Sequence, residues 1–450
     1  MTFNLQSILL TEPSTVDDED FDENNNQLLA HFEEPIDDEI DINEDDLLEV
    51  IIESAEIESS LYGGSRAPRT SFSRNEPIIW PCQTLPALPF NAVSLKPGDT
   101  VELKPNFQKH GDFLYIQQII ENVTKGGITL RGLLVRRTKY MGGALDRKLN
   151  ELCIVMREDE DDDRDPFIQG AIEVSQHDVL RLRTLVFSEK DFPEDSYREF
   201  WTTDLANENL DIVRDRGRLV CRSVWFEKFE NAAHRKKLKA KEGFLRRIES
   251  TEYVDGNLPH SNLGKSYQPT SARPRLGAVR KAPYTYGTGC CGAGGDAEGA
   301  RIAGARVAYG WDQNSGACGT FKLNHPEAAV YQREATSFAL DPPNGQSPRV
   351  TILHLSLPCD FFSPNHTREG KNDDANIATF LSTTELLLEA RPVIHSQENT
   401  YGLFHRHPAF FNKLLSMITS AGYNVRWKVL NFCDYGLSAS RQRLIIFASR

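Results

Sequence analysis

Apolar positions are sparse and irregular over residues 1–75. Acidic runs such as Asp17–Asp20 and Glu44–Asp46 interrupt them, which predicts a disordered acidic tail. Within it, Asp45 to Glu58 has helical apolar spacing, suited to folding on a partner. The pattern changes over residues 90–215. Val93–Leu103, Phe113–Ile120, Gly127–Arg136, Leu152–Met156 and Val179–Val186 alternate or run apolar with β-branched residues. They predict a small all-β module broken by the acidic loop Glu158–Asp165. Residues 216–281 read as a basic helix, over 222–250, and then a Pro-, Gly- and Ser-rich linker. From 282 to 450 apolar strands (Val350–Leu355, Pro392–His395, Leu444–Phe447) alternate with helical stretches (Ile377–Ala390, Ala409–Ser420). That β-α-β rhythm predicts an α/β, doubly wound, Rossmann-like sheet.

Charge follows the same division. Residues 1–60 hold 20 Asp and Glu and no Lys or Arg, leaving 51 basic against 65 − 20 = 45 acidic residues in the rest. A mildly basic body behind an acidic arm suits a nucleic-acid enzyme, and equally an ordinary enzyme with a solvated tail. Within the basic stretch, His234–Lys241 suits phosphate contact, a nuclear import signal or a solvated face. The 8 cysteines contain no C-x-x-C pair, so no zinc ribbon is expected and no metal is assigned. No apolar run reaches membrane-spanning length and Met1–Leu10 lacks a signal-peptide pattern. A reducing compartment and free thiols follow as expectations.

The chemistry gathers in the last third. Gly287-Thr-Gly-Cys-Cys-Gly-Ala-Gly-Gly295 precedes a helical stretch, and Asp312 stands 312 − 292 = 20 positions after Gly292. Glycines that admit a ligand to the backbone, with an acid at ribose distance, indicate an adenosine-containing cofactor. Cys359 follows a strand and a proline, in an irregular loop ending at Phe361-Phe-Ser-Pro364. That is where a nucleophile rather than a core cysteine belongs. Glu398 ends the neighbouring strand, and Arg441 and Arg443 alternate just before another, suited to a carboxylate, a phosphate or a flipped base.

This ordered set resembles the cytosine-5 DNA methyltransferases. Cys290–Gly295 resembles their F-x-G-x-G-G motif, and Asp312–Pro326 their E-x-D-x-x-A-x-x-T-[YF]-x-x-N-H-P motif with one residue inserted. Pro358-Cys359-Asp360 matches Pro-Cys-Gln, Glu398-Asn399-Thr400 matches Glu-Asn-Val, and Arg441-Gln442-Arg443 matches the arginine motif. Pro81-Cys82-Gln83 also spells the catalytic triplet, but without a glycine motif upstream it reads as coincidence. The β-module resembles a bromo-adjacent homology (BAH) domain, and the whole resembles the fungal group tied to repeat-induced point mutation and premeiotic methylation.

The resemblance implies S-adenosylmethionine held by Gly292, Ala293, Gly294, Gly295, Asp312 and Glu334. It implies DNA as substrate, with Cys359, Glu398, Arg441 and Arg443 as catalytic residues. Chromatin silencing in the nucleus, with histones or chromatin proteins as partners of the BAH-like module and acidic tail, follows in the same way. It also implies a target-recognition region and two closing motifs beyond Arg450, so that the sheet is C-terminally truncated in this sequence. The family has Asp at Thr288, Gln at Asp360, Asp at Glu334 and Pro-Gln at Ser438-Ala439. An acid directly after the nucleophile, if it points inward, opposes thiolate formation. The competing expectations are an inactive chromatin protein with a decayed methyltransferase fold and a cytosine-5 RNA methyltransferase.

Overall fold

The computed structural model describes residues 82–105, 113–123, 127–164, 166–197, 210–253, 258, 284–341, 348–363, 370–371 and 373–450. The acidic tail, its Asp45–Glu58 segment and most of the 251–281 linker lie outside these residues.

The first strands are β1 (Cys82–Leu85), β2 (Leu88–Phe90), β3 (Val93–Leu95), β4 (Thr100–Leu103), β5 (Phe113–Asn122) and β6 (Ile128–Arg137). They continue with β7 (Glu151–Asp159), β8 (Ala171–Ser175), β9 (Val179–Arg183) and β10 (Leu185–Phe187). Except for the separate β2–β3 hairpin and for β10, which pairs parallel with the later strand at Leu219–Phe229, they pair antiparallel around β5 and β6. Phe113, Leu114, Tyr115 and Ile116 are all buried because both faces of β5 are covered. Phe113, Leu133, Ile154, Phe226 and Phe244 pack in one core of this module.

Residues 222–250 are not the expected helix. They form β11 (Leu219–Phe229), a five-residue helix α1 (Ala232–Lys236) and β12 (Glu242–Arg247). The stretch Leu219-Val-Cys-Arg-Ser-Val-Trp-Phe carries β-branched and aromatic side chains that favour a pleated surface, and β11 is buried over most of its length. Helix formation survives only where Asn231 caps Ala233 and His234 through its side-chain oxygen (3.0 and 3.1 Å).

The remaining strands are β13 (Thr285–Gly289), β14 (Arg306–Asp312), β15 (Ala329–Gln332), β16 (Ile352–Leu355), β17 (Ile394–Thr400), β18 (Asn424–Asn431) and β19 (Gln442–Ser449). Their order across the sheet is β15-β14-β13-β16-β17-β19-β18, parallel except for β19. Helices α2 (Gly295–Ile302), α3 (Ser315–Asn324), α4 (Ala335–Leu340), α5 (Asp373–Leu381), α6 (Thr383–Ala390), α7 (Tyr401–His405) and α8 (Pro408–Ser420) connect them. The predicted Ile377–Ala390 helix is divided between α5 and α6 at Ser382. Among the described residues no helix is long and apolar enough to cross a membrane.

The sheet does not stop at β18. Strand β12 pairs antiparallel with it, from Glu242↔Lys428 to Leu245↔Val425, so the β-module and the α/β sheet share one hydrogen-bonded surface. Trp225 and Trp427 meet across this seam with ring centroids 5.2 Å apart. Gly243 is required there, since a Cβ would lie 2.4 Å from both the Phe226 carbonyl oxygen and the Trp427 ring. Gly243→Ala is therefore expected to destabilise the chain by about 1–3 kcal/mol, the usual cost of overpacking, read as a lowered urea midpoint.

Candidate functional site

Strand β13 is buried because its glycines let large rings approach. A Cβ on Gly287 or Gly289 would meet Tyr309 at 2.4 Å or Trp311 at 2.3 Å. The chain then turns through left-handed conformations at Cys290 (φ 51°), Gly292 (φ 51°) and Gly294 (φ 86°) before α2. Asp312, at the end of β14, fixes this turn. One carboxylate oxygen accepts the Gly292 N–H at 3.0 Å and the other the Asn314 N–H at 2.9 Å. Two further side chains hold the loop from α3 and its end. Asn324 Nδ2 donates to the Ala293 carbonyl (2.8 Å), and His325 Nε2 to that of Gly294 (3.2 Å). Sequence reasoning passed over these two roles, although the Asn-His-Pro segment was the available signal.

Gly292 and Gly295 face open space, with no atom within 4 Å of a built Cβ. At the carboxyl ends of β14 and β15, Gln313, Asn314, Gln332, Arg333 and Glu334 line a depression of about 410 Å³. Glu334 thus stands on the same rim as the segment that Asp312 anchors. Open backbone at a glycine turn, a carboxylate and a depression of small-molecule size fit an adenosine-bearing cofactor.

Cys359 lies half-buried in the loop after β16. The loop is anchored by Phe362, fully buried against Phe361, Phe380, Phe410 and His407. Glu398, on β17, forms an ion pair with Arg443 on β19, Oε1 to Nε 2.7 Å. Arg441 is exposed at the mouth and its side chain is not brought to Glu398; its N–H donates to Asn431 Oδ1 at 3.2 Å. Burial raises the Cys359 pKa, the Glu398 and Asp360 carboxylates raise it further, and the Arg443 guanidinium lowers it. Asp360 thus opposes the thiolate although it is itself exposed.

The two strand ends are tied directly. The Thr400 hydroxyl donates to the Phe362 carbonyl at 3.0 Å, joining the Glu-Asn-Thr segment to the cysteine loop. Behind them His354 is hydrogen-bonded to Ser396 Oγ (2.8 Å) and Ser356 Oγ (2.9 Å), linking β17 to the end of β16. Thr288 Oγ1 and Asn399 Nδ2 are buried without a partner. Among the described residues no group of three or more His, Cys, Asp or Glu side chains is placed to hold a metal.

Residues 290–450 match the C-5 cytosine-specific DNA methylase family. The chain is 29% identical over 160 residues to the type II methyltransferase M.NgoMIV of Neisseria gonorrhoeae, covering 35% of this chain and 49% of that protein. It is 30% identical over 166 residues to M.AgeI of Thalassovita gelatinovora, covering 35% and 38%. The chain thus spans half or less of these relatives' length. Among solved structures, the S. pombe Dnmt2 methyltransferase aligns at 19% identity and a TM-score of 0.29, covering 37% of this chain and 49% of that one.

Two outcomes are expected from the site's own geometry. Alkylation of Cys359 by iodoacetamide, followed by peptide mass spectrometry, should show an inflection above the ordinary thiol range. Glu398→Gln removes an anion and should lower that inflection, speeding alkylation near neutral pH by roughly three- to tenfold, whereas Arg443→Gln should raise it. Thr400→Val should cost about 1–3 kcal/mol in a denaturation midpoint, because it leaves the buried Phe362 carbonyl without its donor.

Proposed function

We propose that this chain is the catalytic part of a DNA (cytosine-5-)-methyltransferase that uses S-adenosylmethionine. The observation that carries the reading is the placement of Cys359 within the field of the Glu398–Arg443 pair, at the same sheet end as the Gly292–Gly295 turn. The family match over 290–450 supports it.

In this reading the target cytosine is flipped out of the duplex into the space above these strand ends. The Cys359 thiolate adds to C6, and the displaced electron pair moves towards N3, where Glu398 donates or shares a proton. Arg443 holds the Glu398 carboxyl in place and offsets its charge at the sulfur. Arg441, exposed at the rim, meets the nucleotide. S-adenosylmethionine supplies an electrophilic methyl group when bound. Gly292, Ala293, Gly294 and Gly295 would admit it to the backbone, and Asp312 and Glu334 would help to hold it. C5, made nucleophilic by the C6 addition, takes the methyl; loss of the C5 proton then expels Cys359 and restores the ring.

The β-module of residues 90–215 is read as a BAH-like domain, from the order of its sequence segments. With the acidic tail it would bring the enzyme to histones or other chromatin proteins, in gene silencing in the nucleus. The fungal group tied to repeat-induced point mutation is the sub-family proposed. One observation favours a second reading, a catalytically inactive chromatin protein: Cys359 is held above its ordinary pKa by burial and two carboxylates.

DNA containing 5-fluorocytosine tests the first against the second, since its C5 cannot lose a proton. With S-adenosylmethionine present, the chain should form a denaturation-resistant adduct with DNA, and Cys359→Ala should abolish it. An adduct with RNA alone would replace DNA by RNA as substrate. No adduct with either polymer would leave the inactive reading.

A further inference from the structure

The pairing register carries the site's level across the sheet to the β-module. Glu398 stands opposite Ile445, Ile445 opposite Lys428, and Lys428 opposite Glu242. The connection between β11 and β12 therefore projects from the same end of the sheet as Glu398 and the Cys359 loop. Three strand spacings of about 4.8 Å put it roughly 14 Å to the side. His405, in the helix that directly follows β17, donates through Nε2 to the Ala240 carbonyl at 3.3 Å and fixes this tip against the catalytic strands.

The tip has an unusual build. Lys236, Lys237, Leu238 and Lys239 are all exposed. The three lysine side chains have no ion pair or hydrogen bond among the described residues. Their neighbours Arg235 and Lys241 are engaged, with Asp159 (3.1 Å) and Glu160 (2.9 Å). Leu238 sits just past the end of α1, where a glycine is usual, with φ 50° and 55% exposure. A branched apolar residue held outward in a left-handed conformation is a local cost with no gain inside the fold, which marks a contact surface. The acidic loop that follows β7 lies one strand further from the site. There Glu158, Asp159, Glu160 and Asp162 pair with Lys228, Arg235, Lys241 and Arg164, while Asp161 and Asp163 are exposed. The free cations thus lie between this loop and the site.

We propose that Lys236-Lys237-Leu238-Lys239 is a second DNA contact. Its ammonium groups meet backbone phosphates flanking the base held at Cys359, and Leu238 packs against the sugar wall of the groove. The proposal rests on the DNA reading above. A 14 Å offset corresponds to about four nucleotides along one strand, within the footprint of a bound duplex. The contact is independent of sequence: it seats the duplex and leaves base choice to other elements.

The test is fluorescence anisotropy of the whole chain with a duplex of about 20 base pairs across a potassium chloride series. Replacing Lys236, Lys237 and Lys239 together by Gln should weaken binding and reduce the slope of log affinity against log salt by up to about 2.7, or about 0.9 per lost phosphate contact. Arg at the same three positions should keep the slope. Leu238→Gly should raise the thermal midpoint by relieving the backbone, yet weaken binding with the slope unchanged. If the wild-type chain binds duplex and the Gln triple variant keeps both affinity and slope, the hairpin contact is overturned and the DNA reading stands. If the wild-type chain binds no duplex at any salt, both fail.

Discussion

The backbone ladder on the two sides of β18 is the constraint on which the rest depends. On one side β19 joins it to β17 and so to Glu398; on the other β12 joins it to the β-module. Hydrogen bonds repeated along each strand leave little freedom of register, because a slip of one residue would turn every side chain to the opposite face. Arg443 meets Glu398 because of this register, and the β11–β12 connection shares their end of the sheet for the same reason. The β-module before the α/β sheet is built into it rather than hung from it.

At the site the same closeness works in opposite directions. The carboxylate that suits proton donation to a base also disfavours the thiolate beside it, and Asp360 adds to that effect. Arg443 answers both, since it pairs with Glu398 and its charge favours the sulfur anion. Burial and the two carboxylates outweigh the guanidinium, so the environment favours the Cys359 thiol over its thiolate.

Much of this was legible in the sequence because local chemistry forced it. The glycine-rich segment could be seen because Gly287 and Gly289 admit the Tyr309 and Trp311 rings, and Gly292 and Gly294 take the positive φ of the turn that Cys290 shares. Cys359 could be seen since it follows an apolar strand, and Glu398 since it comes just after the apolar start of β17, which the structure carries on to Thr400. The helix expected over 222–250 failed because a basic run outweighed the β-branched and aromatic positions of Leu219–Phe229, whose partners β7 and β12 are distant or later in the chain. The ties from Thr400 to Phe362 and from Asn324 and His325 to the glycine loop were hidden for a related reason. They are contacts between segments, and no spacing within one segment encodes them.

The cover that β12 gives β18 bears on how the molecule behaves in company. An open parallel sheet offers unpaired backbone at both margins, and such margins recruit strands from other copies. Here one margin is occupied from within the chain, and among the described residues the other is the four-residue β15. A strand that short gives a passing neighbour little to zip onto, so edge-to-edge pairing between copies is disfavoured there.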